Sequence, residues 1–178
     1  MANRRGLRIA LGTAAVGAAL VGLLVGLRGS SPSMAPDFVL PDLDGRAVHL
    51  SGLRGRVVVV NLWTTWCPPC REEMPSMQRL YETLAGPDFE LLAVSEDEGG
   101  AEVVAPFVRE LGVTFPVLVD PQHQVGERYG VWGYPETFVI DRAGRIAERV
   151  IGPRDWASPE QVAALRALIA ADPTAPPS

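Results

Sequence analysis

The sequence predicts an α/β fold, a mixed sheet covered by helices on both faces. Three patterns carry the expectation. Val57-Val-Val-Val-Asn-Leu-Trp63 is a continuous, largely β-branched run of the kind found in strands buried on both faces. Strand and helix patterns alternate after it as far as Tyr129. Asp141-Arg-Ala-Gly144, between Thr137–Ile140 and Arg145–Ile151, then reads as a hairpin turn that closes the sheet with antiparallel strands.

The first element is residues 9–27, nineteen residues without a charge. At about 1.5 Å per residue such a helix crosses a hydrocarbon core of about 30 Å. Arg4, Arg5 and Arg8 precede the run and Arg28 follows it, so residues 1–8 stay in the cytoplasm and the rest of the chain is delivered beyond the membrane. A cleaved secretory signal is the rival reading, with an apolar region of usually about 7–15 residues. Both readings put the working domain outside the cytoplasm. Residues 28–36 read as a short Gly/Ser/Pro linker, 37–170 as the folded domain and 171–178 as a frayed tail.

Within the domain, Asp37–Leu40 and Arg46–Leu50 flank the turn signal Asp44-Gly45 and predict an N-terminal β-hairpin extension. After the central strand, Pro68–Leu84 carries Met74, Met77, Leu80, Tyr81 and Leu84 at helical spacing, with a kink expected at Pro75. Phe89–Val94 reads as a second buried strand, and Ala101–Leu111 as a second helix despite Pro106. A short strand over Phe115–Val119 and a short helix over Gln124–Tyr129 follow. Ser158-Pro159-Glu160 offers an N-cap, a first-position proline and a first-turn acid to a terminal helix ending near Ala170.

Composition narrows the chemistry. The chain has 178 residues, is 47% hydrophobic and 21% charged, and so has the apolar content for a packed core. Its net charge is −5, and all sixteen basic residues are arginines. Four of these lie in the first 28 positions, which leaves 12 arginines against 21 acids, or −9, on the remainder. A domain this acidic has no broad basic face for phosphates, so nucleic acid is excluded as a partner class. The absence of lysine excludes Schiff-base chemistry and a phosphate-loop lysine. Two cysteines and two histidines, His49 and His123, are too few for a disulfide-stapled fold, and a four-ligand zinc site would need them all to converge.

Both cysteines fall in Trp66-Cys-Pro-Pro-Cys70, where the central strand turns into a helix. At or just before the first helical residue, Cys67 meets unpaired N–H groups and the positive end of the helix dipole, which favour a thiolate. Pro68 suits the first helical position and helps fix a turn that exposes Cys67. Cys70 lies one turn inside, better shielded and close enough to bond to Cys67. Cys67 is therefore the expected attacking sulfur and Cys70 the resolving one. Trp66 beside Cys67 is expected to shield the thiolate and line a contact surface. Trp63, Trp132 and Trp156 read as core or rim. His49 and His123 read as solvent-side, Glu72 as solvated, and Glu96-Asp97-Glu98 with Glu102 as a hydrated loop face.

On these residues the chain resembles the thioredoxin superfamily, and more narrowly its membrane-anchored TlpA, ResA and CcmG-type thiol:disulfide proteins. The similarity runs from about Pro36 to Ala170. It rests on Val60-Asn-Leu-Trp63, Trp66-Cys-Pro-Pro-Cys70 with Glu73, and Tyr129-Gly-Val-Trp-Gly-Tyr-Pro-Glu-Thr-Phe-Val-Ile-Asp141. The resemblance implies a thioredoxin-like fold and a cis Pro135 facing the dithiol, a geometry only X–Pro bonds reach cheaply. Tyr134 and Pro135 would then present backbone polar groups to an incoming peptide, as in strand addition. Ordinary thioredoxins carry a buried Asp where this chain has Asn61, which cannot accept a proton. Glu73 matches the acid kept by the anchored family, and burial would raise its pKa toward a useful range. Tyr134 is bulkier than the small residue often found there, which narrows the expected groove.

The implied activity is extracytoplasmic thiol:disulfide exchange, reducing protein disulfides such as those of apocytochrome c. A transmembrane dithiol carrier would resupply electrons, and no cofactor beyond the Cys67–Cys70 pair is expected. Three alternatives stay open. A disulfide oxidant uses the same residues in reverse, with direction set by the potential. A thiol peroxidase finds support in Thr64, three residues before Cys67, although Val60 stands where peroxiredoxins have proline. A Cu(I)-binding module would use soft thiolates, though neither histidine is well placed to join them.

Overall fold

The structure is a computed structural model that describes residues 33–172. The expected cytoplasmic start (1–8) and membrane anchor (9–27) lie outside the described residues, as do most of the linker and tail. Among the described residues no helix is long and apolar enough to cross a membrane.

A two-stranded antiparallel hairpin comes first, β1 (Val39–Pro41) and β2 (Ala47–His49), followed by a 3-10 helix at Leu50–Leu53. That helix replaces the predicted end of β2, because Leu50 turns inward to become buried. The main elements are β3 (Val57–Trp63), α1 (Pro68–Leu84), β4 (Phe89–Ser95), α2 (Ala101–Leu111), β5 (Val117–Val119), α3 (Gln124–Tyr129), β6 (Glu136–Ile140), β7 (Ile146–Ile151) and α4 (Pro159–Ala170). The five-stranded sheet has the order β5-β4-β3-β6-β7. β3, β4 and β5 run parallel, while β6 and β7 are antiparallel additions on the other side of β3.

Every residue of β3 is buried, which fits its unbroken apolar run and its place at the sheet centre. Val57, Val59 and Trp63 face a cluster that includes Met74, Met77 and Leu80 of α1, Val104 and Phe107 of α2 and Leu165 of α4. Val58, Val60 and Leu62 face a second cluster with Phe38 and Leu40 of the extension and Val125 and Tyr129 of α3. Both faces are covered, as the alternation predicts. An isolated bridge between Asp42 and Leu118 lays the extension against β5, which protects the edge of the sheet.

α1 continues through Pro75, whose ring is on the exposed side of the helix. β5 is shorter than predicted because Pro116 has no N–H for the ladder; its carbonyl accepts from Ala93 N at 3.0 Å instead. The β6–β7 turn needs Gly144 at φ 82°, and a Cβ there would sit 0.8 Å from Arg54 Nη1. Ser158 caps α4 by accepting from Gln161 N at 3.4 Å, with Pro159 next in the chain.

Candidate active site

The antiparallel register of β3 and β6 pairs Leu62 with Glu136. The turn leaving β3 and the loop entering β6 therefore meet at one end of the sheet. The first carries Cys67 and the second carries the cis Tyr134–Pro135 bond expected from the resemblance.

Cys67 and Cys70 form a disulfide, with an S–S distance of 2.04 Å and Cα atoms 5.3 Å apart. Cys67 is the N-cap residue of α1, and its Sγ accepts from the Cys70 amide at 3.2 Å. An unpaired N–H at the positive end of a helix thus points at the sulfur, where it stabilises negative charge. Asp97 holds the turn just upstream: it accepts from Thr65 N at 2.9 Å, Thr65 Oγ1 at 2.6 Å and Ser95 Oγ at 2.7 Å. One expectation is corrected here. The turn does not expose Cys67, which is 4% accessible against 0% for Cys70, because both sulfurs pack into the α1-side core cluster. The exposed residue is its neighbour Trp66, 69% accessible, whose ring meets that of Tyr134 edge-on at 5.8 Å.

Glu73 lies one turn beyond Cys70 and is buried. Its Oε1 accepts from Asn61 Nδ2 at 2.8 Å, and its Oε2 accepts from Arg154 N and Trp156 Nε1, each at 3.2 Å. Burial pushes this carboxyl above the ordinary glutamate range, with the Trp156, Asn61 and Arg154 donors pulling the other way. Asn61 donates both to this carboxyl and to Thr137 Oγ1, the latter at 2.9 Å, and so holds the carboxyl in place. Ser76 ties the segment before α4 to α1, donating to Glu73 O at 2.8 Å and accepting from Trp156 N at 3.1 Å. A groove of about 450 Å³, lined in part by Glu73, Pro75, Arg79 and Arg154, lies beside this residue.

A second carboxylate centre lies under the loop before β6. Glu96 and Asp97 are buried rather than part of a hydrated face, because backbone amides and hydroxyls satisfy their oxygens. Glu96 accepts from Tyr134 Oη at 2.5 Å and from Gly126 N at 2.6 Å. His123 keeps a solvent-facing ring, 39% exposed, yet its Nδ1 is also 3.6 Å from Glu96. Burial, then the Glu96 carboxylate, push the Tyr134 phenol above its usual value. His49 is exposed, Trp63 and Trp156 are core, and Trp132 is an exposed rim residue. Nothing in the sequence connects Trp156, Arg154 or Ser76 with Glu73, or Glu96 and His123 with Tyr134. Thr64, the residue favouring a peroxidase, has a buried hydroxyl with no hydrogen-bond partner among the described residues.

A disulfide at a helix N-terminus, beside a cis-proline loop, is an arrangement suited to dithiol–disulfide chemistry. Comparison with known proteins agrees, since residues 32–149 match the AhpC/TSA family. The chain belongs to the AhpC/TSA family. Its relatives include the thiol-disulfide oxidoreductase ResA of Geobacillus thermodenitrificans, 44% identical over 120 residues, covering 67% of this chain and 68% of the relative. A thiol:disulfide interchange protein from Chlorobium tepidum superposes with a TM-score of 0.67 at 28% identity, over 79% of this chain and 98% of the other. StoA of Bacillus subtilis gives a TM-score of 0.64 at 25% identity, over 76% and 99%. This AhpC/TSA member has a thioredoxin-like fold and is a thiol-disulfide oxidoreductase.

Proposed function

We propose that the protein is a membrane-anchored, extracytoplasmic reductase of polypeptide disulfides, with the haem-attachment disulfide of apocytochrome c as a substrate. The amide of Cys70 donating to Cys67 Sγ at the start of α1 is the observation that carries the reading. In the reduced protein the Cys67 thiolate attacks one sulfur of the substrate disulfide. The S–S bond breaks, a Cys67–substrate mixed disulfide forms, and the departing substrate thiolate takes up a proton. Cys70 then loses its proton to the Glu73 carboxylate and attacks Cys67 Sγ. The second substrate sulfur leaves as a thiolate that takes up a proton from solvent, and two electrons have passed to the substrate while Cys67–Cys70 closes as the disulfide seen here.

The groove beside Glu73 gives its proton a route to solvent. Trp66, Pro68 and Tyr134 form the substrate-facing surface, and the backbone ahead of cis Pro135 pairs with the incoming chain. The Cys67–Cys70 couple carries the electrons, so the reading calls for no further cofactor. The apolar run at 9–27 supports the membrane location, and a transmembrane dithiol carrier resupplies the electrons. Expressing a Cys70→Ser variant in cells tests the roles. The mixed disulfide can no longer be resolved, so a covalent adduct that a reductant releases should accumulate and identify the substrate. No adduct in Cys70→Ser, or one in Cys67→Ser instead, contradicts the assignment.

A further inference from the structure

Glu96 is a charged side chain that the exchange mechanism does not use, yet it is 2% accessible. A buried carboxylate is costly unless its oxygens are satisfied, and here residues 123–126 and Tyr134, about 30 to 40 residues on, converge to satisfy them. It follows directly on β4, where its own amide donates to Trp63 O at 3.0 Å. From α3 comes the amide of Gly126 at 2.6 Å, from the loop ahead of β6 the hydroxyl of Tyr134, and from the turn before α3 the ring of His123. His123 Nδ1 is also 3.5 Å from Tyr134 Oη, so the three side chains share one contact.

Gly126 shows that α3 accommodates this carboxylate. A Cβ built there would sit 2.5 Å from both Glu96 oxygens, and glycine otherwise weakens a helix. What the carboxylate holds is Tyr134, the residue that precedes cis Pro135 and whose ring stands against Trp66, next to Cys67.

We propose that Glu96, seated by Gly126 and flanked by His123, is a positioning residue for substrate capture: it anchors the Tyr134 hydroxyl and so pre-forms the backbone and aromatic wall that receive a polypeptide disulfide. The inference rests on the proposed reduction of polypeptide disulfides at Cys67. A strand that adds beside Tyr134 binds more tightly when that backbone is already fixed, since no ordering is left to do on binding. The clamp therefore acts on capture, not on sulfur exchange itself.

The test is single-turnover reduction of a disulfide-bonded Cys-x-x-Cys peptide by the reduced protein, with the rate followed against peptide concentration. Glu96→Ala removes the anchor. Gly126→Ala displaces the carboxylate from the far side without touching the groove. Both should raise the half-saturating peptide concentration by about tenfold, equivalent to about 1.4 kcal/mol. The limiting rate should stay within about twofold and the Cys67–Cys70 potential should not move. Glu96→Gln keeps an oxygen for the Gly126 amide and turns its NH2 to the Tyr134 hydroxyl, which then accepts, so it should recover most of the loss. Near-UV circular dichroism establishes that each variant is folded. An unchanged half-saturation in folded Gly126→Ala and Glu96→Ala overturns the clamp, as does a loss confined to the limiting rate or to the potential. A wild-type protein that does not exchange with the peptide at all overturns the underlying reading and the clamp with it, whereas exchange that the variants leave untouched overturns the clamp alone.

Discussion

Replacing Asn61 with Asp sets a second carboxyl against Glu73 in a wholly buried site. The amide nitrogen that it replaces is 2.8 Å from Glu73 Oε1. Two like charges at that separation repel by about 6 kcal/mol at an effective dielectric constant of about 20. The pair therefore keeps a proton that the unfolded chain has released, where Asp and Glu titrate near about 3.9 and 4.3. A folded-state pKa raised in this way gives stability that is present below the unfolded pKa and lost as pH rises through the folded one. Relative to wild type, the variant should lose up to about 1.4 kcal/mol per pH unit while the folded form alone holds the proton. Urea unfolding of the oxidised protein, repeated from about pH 5 to about pH 8, reads this directly. The gap between wild type and Asn61→Asp should widen with pH. A gap independent of pH, or one that narrows, would show that Asn61 and Glu73 are not coupled as the geometry indicates.

Glu73→Gln removes the proton acceptor proposed for Cys70 and should slow resolution of the mixed disulfide by about 10²-fold. Because burial raises the Glu73 carboxyl, its base form gains only as pH rises above the ordinary glutamate range, so wild-type resolution should accelerate there and the variant should lose that limb. Stopped-flow fluorescence of the resolving step across pH checks both, and an unaltered pH profile counts against the role. Gly144→Ala forces a Cβ onto Arg54 Nη1 at a positive φ and should cost about 1–3 kcal/mol in urea unfolding; a neutral outcome would mean that the β6–β7 turn relaxes easily.

Much of this architecture was legible in the chain because its signals are local. The β-branched run predicts β3 from Val57 to Trp63, and proline at the first helical position with an apolar stripe predicts α1 from Pro68 to Leu84. The dithiol motif is legible for the same reason, being a contiguous string, and the cis-proline loop through its resemblance to the thioredoxin superfamily. The partners of Glu73 were not, since Trp156 lies 83 residues away and reaches it only because Ser76 ties its segment to α1. Glu96-Asp97-Glu98 read as solvated because a run of acids usually is. Only Glu98 is exposed, since donors from Ser95, Thr65, Gly126 and Tyr134 compensate the two carboxylates that tertiary structure buries. Cys67 was misjudged in the same way: a helix start says that a sulfur can be charged, not how deeply its neighbours cover it.

The account stands on Cys67 ionising readily once the disulfide is reduced. Its rate of alkylation by iodoacetamide, followed against pH in the Cys70→Ser variant, measures that property. A sulfur facing the amides at the start of α1 should titrate within about 3.5–7.5, whereas a midpoint at about 8.5 or above, that of a free thiol, would contradict the account.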